Sequence, residues 1–125
     1  MIPSAKELKE AHIRISDFIH KTPVLSSKSI NEIAGCSIYF KCENFQKMGA
    51  FKMRGASNAL LKLSDQQKKN GVTTHSSGNF GQAVALSAQL SNTKATIVMP
   101  SNAPLVKKEA VKGYGASIIE CKPTL

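Results

Sequence analysis

The sequence predicts an α/β fold in which an open parallel sheet is built from βαβ units. Three short β-rich segments, Val72–His75, Ala95–Met99 and Ser117–Cys121, recur at an even spacing along the chain. Helical patterns over Gly81–Leu90 and Pro104–Tyr114 separate them. Short strands that alternate with helices of about ten residues are typical of parallel strands joined by crossover helices.

The first part of the chain predicts two helices followed by a strand. Ser4 and Glu7 form a capping-box pattern ahead of apolar residues at helical spacing, so a helix is expected over Ser4–Ile19. A shorter helix is expected over Ser27–Ala34, with a glycine directly after it as the C-terminal cap. Ile38–Cys42 then has the composition of a strand.

A third helix is expected to begin near Lys52, after a loop over Asn44–Ala50. One face of this helix is marked by Ala56, Ala59, Leu60 and Leu63. Lys52 therefore lies in the first helical turn, and Gly71 separates this helical region from the βαβ units.

Lys52 is the first candidate for chemistry, because it follows Phe51 and lies between Gly49 and Gly55. Burial lowers the pKa of a lysine and converts the ammonium into an amine that can attack an aldehyde. The alternative is that Lys52 is one of many solvated lysines in a basic chain. The surrounding residues alone leave both interpretations open.

A second motif, Ser76-Ser77-Gly78-Asn79-Phe80-Gly81-Gln82, joins a predicted strand to a predicted helix. Ligands of open parallel sheets bind beyond the carboxyl ends of strands, where a helix N-terminus attracts anions. The short polar side chains suit a carboxylate with a neighbouring polar oxygen. Ordinary helix capping is the alternative. The sequence has neither a P-loop nor a complete dinucleotide fingerprint, and it has no nucleophile elbow around Ser77.

Composition narrows the class of protein. The 125 residues carry a formal net charge of +9, and the lysines are spread along the chain. Spread charge is typical of a solvated surface, and the few aromatic residues are not interleaved with basic ones, so we expect no nucleic-acid partner. A site for small anions is the more economical interpretation. No apolar run approaches the ~20 residues of a membrane span, so we expect no membrane association and a cytoplasmic location.

Cysteine and histidine usage predicts neither a disulfide framework nor a metal centre. Cys36, Cys42 and Cys121 are odd in number and include no Cys-x-x-Cys pair. We expect these thiols to be free and buried. The three histidines lack the spacing of metal ligands.

Several linked motifs follow one another in order. They are Lys21-Thr22-Pro23-Val24-Leu25, Tyr39-Phe40-Lys41-Cys42-Glu43, Phe45-Gln46-Lys47, Phe51-Lys52-Met53-Arg54-Gly55-Ala56, Thr74-His75-Ser76-Ser77-Gly78-Asn79 and Gly113-Tyr114-Gly115-Ala116-Ser117. This series resembles the fold-type II pyridoxal-phosphate (PLP) enzymes, which share the tryptophan synthase β-like fold. Within these enzymes, the sequence of the motif around Lys52 favours the branch of serine racemases and serine/threonine dehydratases (threonine ammonia-lyases).

The resemblance implies the roles of the site residues. Lys52 would bind PLP as an aldimine and abstract the α-proton of a small hydroxy amino acid, with Phe51 and Asn79 also contacting the cofactor. Ser77 would act as the acid or base on the opposite face. The substrate carboxylate would be bound by Ser76, Ser77, Gly78 and Asn79. Protonation by Ser77 gives the D-amino acid, whereas loss of the β-hydroxyl leads to a keto acid and ammonia, and the sequence leaves this choice open.

The resemblance also implies modulators, an oligomer and a domain arrangement. Mg²⁺ and ATP would modulate the full-length protein, with nucleotide contacts near Ser27, Lys47, Gln82 and Tyr114, and the protein would be a homodimer. Residues 1–50 would begin the large domain and residues 51–125 would form most of the small domain. Phe80 stands where many relatives have histidine, so the contacts of the loop to the substrate would differ.

The sheet is expected to be incomplete at the C-terminus, because the chain stops after a strand with no helix to cover it. The resemblance places the remainder of the large domain, with the glycine-rich phosphate loop, beyond Leu125. A compact three-stranded domain is the alternative for the fold. For the function, the alternative is a non-catalytic remnant or a partner-binding domain.

Overall fold

A computed structural model describes residues 2–123 of the chain. In chain order, its helices are α1 (Ala5–Ile15), α2 (Lys28–Ala34), α3 (Lys52–Leu61), α4 (Asp65–Asn70), α5 (Asn79–Leu90) and α6 (Leu105–Gly113). Its strands are β1 (Val24–Leu25), β2 (Phe40–Lys41), β3 (Val72–His75), β4 (Ala95–Pro100) and β5 (Ser117–Cys121). Within these residues, no helix is long and apolar enough to cross a membrane.

The three later strands form a parallel sheet in the order β3-β4-β5. Val72 is paired with Ala95, and Thr96 is paired with Ser117, so consecutive strands lie side by side. Helix α5 connects β3 to β4 and packs on both, and α6 connects β4 to β5 and packs on β5. The predicted α/β fold with a parallel sheet of βαβ units is confirmed.

The core lies between this sheet and the helices α3, α5 and α6. Its largest fully buried apolar side chains are Met53, Ile97, Met99 and Val111. Helix α5 contributes mostly small residues to the core, which include Ala83, Ala85 and Ala88. Small side chains allow the backbone of α5 to approach both the sheet and α3 closely.

The first predicted helix is shorter in the structure than the sequence suggested. Ser4 caps α1 in the predicted capping box, but the α-helix ends at Ile15 and a 3₁₀ turn follows over Ser16–Phe18. The Ser16 hydroxyl donates to the Ile13 carbonyl at 3.0 Å, which satisfies an acceptor at the end of the helix. Side-chain bonding of this kind competes with continuation of the helix.

The predicted strand over Ile38–Cys42 is reduced to the two residues of β2. These residues pair antiparallel with β1, a strand that the sequence analysis missed. The Cys42 N–H donates to the Pro23 carbonyl at 3.0 Å, after which the chain turns into a 3₁₀ helix at Glu43–Phe45. A second 3₁₀ turn over Lys47–Gly49 also lies in the segment expected to be a loop.

Two further differences concern the middle of the chain. Helix α4 is separate from α3, and Ser64 caps its start in a capping box with Gln67. Helix α3 ends at Leu61, so Leu63 lies after α3 rather than on its face. Helix α5 begins at Asn79 instead of Gly81, so Asn79 and the following phenylalanine belong to its first turn.

The expectation that the thiols are buried is wrong. Cys36 is exposed, and Cys42 and Cys121 are only half-buried. Cys36 follows the left-handed C-cap of α2, Gly35, at the surface.

Candidate functional site

The loop before α3 is fixed by one buried glutamine. The Gln46 side-chain oxygen accepts hydrogen bonds from the backbone N–H groups of His20 and Lys47, at 2.7 and 3.0 Å. Its amide nitrogen donates to the His20 carbonyl at 2.9 Å. The loop then passes through Met48 and Gly49 with positive φ angles of 54° and 75°. These bonds hold the unusual backbone that leads into Lys52.

An ion pair holds α3 against the first part of the chain. The Arg54 guanidinium donates to both carboxylate oxygens of Glu43, from Nε at 2.8 Å and from Nη2 at 2.7 Å. The Thr22 hydroxyl donates to the same carboxylate at 2.6 Å, and the Lys41 ammonium donates to the Thr22 carbonyl at 2.7 Å. A bidentate charge-assisted pair of this kind fixes both distance and orientation.

The ion pair also controls the ionisation of Glu43. Hydrogen bonding by Arg54 is the main cause that lowers the pKa of Glu43 from 4.5 to about 2, with further help from Thr22 and against the opposing effect of burial. The same contact raises the pKa of Arg54. Glu43 is therefore ionised at neutral pH and anchors the helix two residues after Lys52.

Lys52 is the first residue of α3, and its ammonium lies between two aromatic rings. Nζ is 5.0 Å from the centre of the Phe51 ring and 6.0 Å from that of Phe80. Of the two interpretations that the sequence left open for Lys52, a buried amine and a solvated one, the structure favours the solvated one, because the residue is exposed and the two rings beside it are themselves 58% and 37% exposed. The rings supply one wall beside the exposed amine.

Helix packing brings Lys52 close to the second motif. Helices α3 and α5 pack together around a buried hydrogen bond between the hydroxyls of Ser57 and Ser87, whose oxygens are 3.1 Å apart. Ser87 also lies 3.6 Å from the sulfur of Met53. The starts of the two helices are consequently neighbours, which places Phe80 of α5 beside the Lys52 amine.

The second motif forms the turn between β3 and α5, as its position in the sequence predicted. Ser76 and Gly78 are half-buried, whereas Ser77 and Asn79 are exposed. The Gly78 N–H donates to the Ser76 hydroxyl at 3.3 Å. Among the described residues, no side chain caps α5, so the first N–H groups of the helix keep their capacity to bind an anion.

Gly81 allows α5 to start directly against the sheet. A Cβ atom at this position would lie 3.0 Å from Cγ2 of Ile97 and 3.3 Å from both Cβ and O of Ser76. Any larger residue would therefore displace the turn that carries Ser77 and Gly78.

Asn79 has a partner that the sequence analysis did not anticipate. Its side-chain oxygen accepts a hydrogen bond from Lys107 of α6, at 2.8 Å. The roles of Thr22, Glu43 and Arg54 were missed as well, although all three stand in the quoted motifs. The only signal for the ion pair was opposite charge at positions 43 and 54, whereas nothing local linked positions 79 and 107.

The four residues predicted near a nucleotide are not gathered at one cavity. Ser27 caps α2 by accepting from the Ile30 N–H, and Gln82 is 6% exposed inside α5. Tyr114 lines a surface cavity of about 340 Å³ that includes none of the other three. The nucleotide contacts near these four residues stay a prediction.

The geometry therefore combines an accessible amine, which can react with an aldehyde, with a neighbouring turn whose backbone N–H groups can bind a small anion. Comparison with known proteins gives the decisive observation. Residues 15–125 match the family model described as pyridoxal-phosphate dependent enzyme. The chain belongs to this family.

Similar members of the PLP family include racemases and ammonia-lyases. The chain is 53% identical over 120 residues to a serine racemase of Dictyostelium discoideum, a match that covers 96% of this chain and 37% of that protein. It is 53% identical over 119 residues to an L-threo-3-hydroxyaspartate ammonia-lyase of Saccharomyces cerevisiae, covering 95% of this chain and 36% of the relative.

The fold of the PLP family is matched over the whole chain. The structure of maize serine racemase superimposes with a TM-score of 0.96 at 49% identity, covering 100% of this chain and 38% of that one. The chain thus spans less than two fifths of the length of these relatives. Resemblance to the racemase and dehydratase branch, stated from motifs alone, is confirmed.

Proposed function

We propose that this chain is the N-terminal part of a PLP-dependent enzyme that racemises or dehydrates a small hydroxy amino acid. The observation that carries the proposal is the position of the Lys52 amine, beside Phe51 and Phe80 and next to the uncapped start of α5. The names of the relatives, a serine racemase and a hydroxyaspartate ammonia-lyase, support the substrate class.

The residues present fit the reactive end of PLP. Lys52 offers an accessible primary amine for the aldehyde, Phe51 offers an aromatic surface beside it, and Asn79 offers a side-chain amide. When bound, PLP supplies an electron sink that stabilises negative charge at the α-carbon of the amino acid. The Lys52 amine, the Phe51 ring and the Asn79 amide are therefore chemically suited to the aldehyde end of PLP.

Two side chains of this chain then carry out the proton transfers, one on each face of the substrate. Lys52 removes the α-proton on its face, and Ser77 holds or delivers a proton on the opposite face. The substrate carboxylate binds at the turn formed by Ser76, Ser77, Gly78 and Asn79, where the backbone N–H groups and the helix dipole favour an anion. Phe80 borders this turn with an apolar ring instead of a hydrogen-bonding side chain.

We further propose the arrangement of the complete protein. Residues 1–50 begin a large domain and residues 51–125 form most of a small domain, with PLP between the two. The full-length protein is a cytoplasmic homodimer. Mg²⁺ and ATP modulate it, with nucleotide contacts near Ser27, Lys47, Gln82 and Tyr114.

Chemical labelling of Lys52 tests the proposal. The chain is mixed with PLP, reduced with borohydride, digested and mapped by mass spectrometry. We expect the pyridoxyl group on Lys52 and its loss in Lys52→Ala. Lys62→Ala, at the exposed end of the same helix, is the matched control and should keep the label. Labelling spread evenly over the surface lysines would contradict the assignment and favour a non-catalytic domain.

The fate of L-serine separates the two reactions. A full-length protein that contains this chain is incubated with L-serine, and D-serine and pyruvate are measured. Ser77→Ala should lower racemisation by about 100-fold or more while elimination of L-serine falls much less, since general acid–base catalysis typically contributes 10²–10⁴-fold. Equal loss of both products would contradict the assignment of Ser77 to the opposite face.

A further inference from the structure

Lys107 of α6 contacts the candidate site from outside both motifs. Its ammonium lies 2.8 Å from the side-chain oxygen of Asn79, although the two residues are 28 positions apart in the chain. Helix α6 begins at Leu105, so Lys107 belongs to its first turn. Packing of α5 against α6 carries this lysine to the start of α5.

The contact determines how the Asn79 amide is oriented. An ammonium has three donors and no acceptor, so the atom of Asn79 that faces Lys107 has to be the carbonyl oxygen. The amide nitrogen is then turned away from Lys107, and it makes no hydrogen bond to another residue of 2–123. Asn79 therefore presents an N–H donor at the start of α5.

The charge of Lys107 is not used in an ion pair. Its neighbours on α6 are paired, because Lys108 lies 2.6 Å from Glu120 and Lys112 lies 3.3 Å from Glu109. No carboxylate among residues 2–123 lies within 4.0 Å of the half-buried Lys107. Its closest polar partner is the neutral amide of Asn79.

We propose that Lys107 is a positioning residue of the PLP site, which fixes the Asn79 carboxamide so that its N–H groups face the cofactor. The proposal rests on the proposed function, because it assigns the free amide donor to PLP. A hydrogen bond to a charged donor is about twice as strong as a neutral one, so Lys107 selects one of the two orientations of the amide. Without Lys107, the oxygen and the nitrogen of Asn79 would exchange places freely.

Nuclear magnetic resonance tests the orientation without cofactor. In the ¹⁵N-labelled 125-residue chain, the side-chain amide pair of Asn79 is assigned by its disappearance in Asn79→Asp. We expect Lys107→Met to shift or broaden this pair and Lys107→Arg to restore it. Lys112→Met, which removes the same charge from an exposed site on α6, should leave it in place. An unmoved pair in Lys107→Met overturns the proposal.

Measurements of PLP binding test whether the cofactor uses the N–H groups of the oriented Asn79 amide. We expect Lys107→Met to weaken binding of PLP at Lys52 by about tenfold, as for loss of one charge-assisted hydrogen bond. In an Asn79→Ala background, Lys107→Met should have no further effect on PLP binding, because the amide that Lys107 holds is already absent. This double-mutant cycle isolates the coupling between the two residues. Equal weakening in both backgrounds would show a general charge effect and overturn the proposal.

The two arms separate this proposal from the proposed function. If a full-length protein that contains this chain takes up no PLP on Lys52, the proposed function is wrong, while the amide pair of the 125-residue chain still reports on Lys107. If PLP binds at Lys52 and Lys107→Met binds it equally well, the proposed function stands and the role of Lys107 is overturned.

Discussion

At the scale of single residues, the Glu43 carboxylate is the clearest case of opposing electrostatic effects. Burial raises its pKa, whereas Arg54, Thr22 and Lys41 lower it, and the lowering contributions prevail. They prevail because both oxygens receive short hydrogen bonds, including two from one planar guanidinium. The pair is mostly buried, so removing either partner leaves the other charge without compensation.

The lowered pKa of Glu43 predicts loss of stability in acid. A carboxyl group with a pKa of about 2 in the folded chain and 4.5 when unfolded stabilises the fold above pH 4.5. This contribution is about 2 to 3 kcal/mol at neutral pH and is lost as the pH falls from 4.5 towards 2. Urea unfolding at a series of pH values from 7 to 2 measures it.

The glutamine variant separates Glu43 from the other carboxylates. In Glu43→Gln, the free energy of unfolding should be lower at pH 7, and its fall between pH 4.5 and 2 should be shallower than in the wild type. Glu10→Gln removes a carboxylate that forms only an exposed pair with Lys6, at 3.9 Å, and should follow the wild-type curve. Parallel curves for wild type and Glu43→Gln would contradict the assigned pKa.

At the scale of elements, α5 determines where the candidate site forms. Its first turn carries Asn79 and Phe80, and its small residues pack between the sheet and α3. Gly81 lets the helix begin within contact distance of Ile97 on β4. Close approach of α5 to β4 therefore fixes both the turn after β3 and the neighbourhood of Lys52.

Substitution of Gly81 by alanine should displace the start of α5. The added methyl group would lie 3.0 Å from Ile97 and 3.3 Å from Ser76, which predicts a loss of stability of about 1 to 3 kcal/mol. PLP labelling at Lys52 should fall as well, because Phe80 and the turn move away. Thermal unfolding and the labelling assay measure the two effects.

Gly55 provides the matched control for this substitution. It also lies in a helix, and a Cβ atom there would have no neighbour within 4 Å. Gly55→Ala should raise the stability of the chain by up to about 1 kcal/mol through helix propensity. If Gly81→Ala and Gly55→Ala had the same effect on stability, close packing of α5 would not explain why glycine is needed at position 81.

The parts of the fold that sequence predicted are those with local patterns. β3 and β5 were predicted with their observed bounds, because short runs of β-branched residues between turn residues have a local signal. β1 was missed since a two-residue strand has no periodicity, and its hydrogen bonds depend on a distant partner. The end of α1 was wrong because a single serine hydroxyl redirected the chain.

The candidate site shows the same contrast between features with a local sequence pattern and features that depend on distant partners. The second motif was placed correctly between a strand and a helix, because this position is a local property, although α5 begins at Asn79, two residues earlier than predicted. The sequence left the exposure of Lys52 open and did not predict the contact of Lys107 with Asn79, since both depend on how helices pack in three dimensions. Motif resemblance proposes which residues react, but it does not indicate which residues hold them in place.

At the scale of the whole molecule, the first part of the chain exposes large apolar side chains. Val24 and Leu25 of β1 and Phe40 of β2 are exposed, and Ile33 and Tyr39 are 88% and 71% exposed. They belong to the two-stranded sheet or to the segment between its strands, and an accumulation of large exposed apolar side chains marks an interaction site more often than single ones do. The relatives are more than twice as long as this chain, so we expect additional protein to cover this surface.

A chimera tests this expectation. Residues 1–123 of this chain are joined to the downstream part of the Dictyostelium serine racemase, which is 53% identical over the matched region. Each large apolar side chain that becomes buried contributes about 1.5–3 kcal/mol, so the chimera should unfold at a higher urea concentration and bind less of a hydrophobic dye. It should also bind PLP more tightly, because Lys52 gains cover on its open side.

The Lys52→Ala variant of the chimera separates assembly from chemistry. It should keep the low dye binding and the added stability, because Lys52 is exposed and takes no part in the apolar surface. It should lose both the pyridoxyl label and the conversion of L-serine. If the unmodified chimera bound as much dye as the 125-residue chain, the exposed residues of β1 and β2 would not be an interface to the rest of a PLP enzyme.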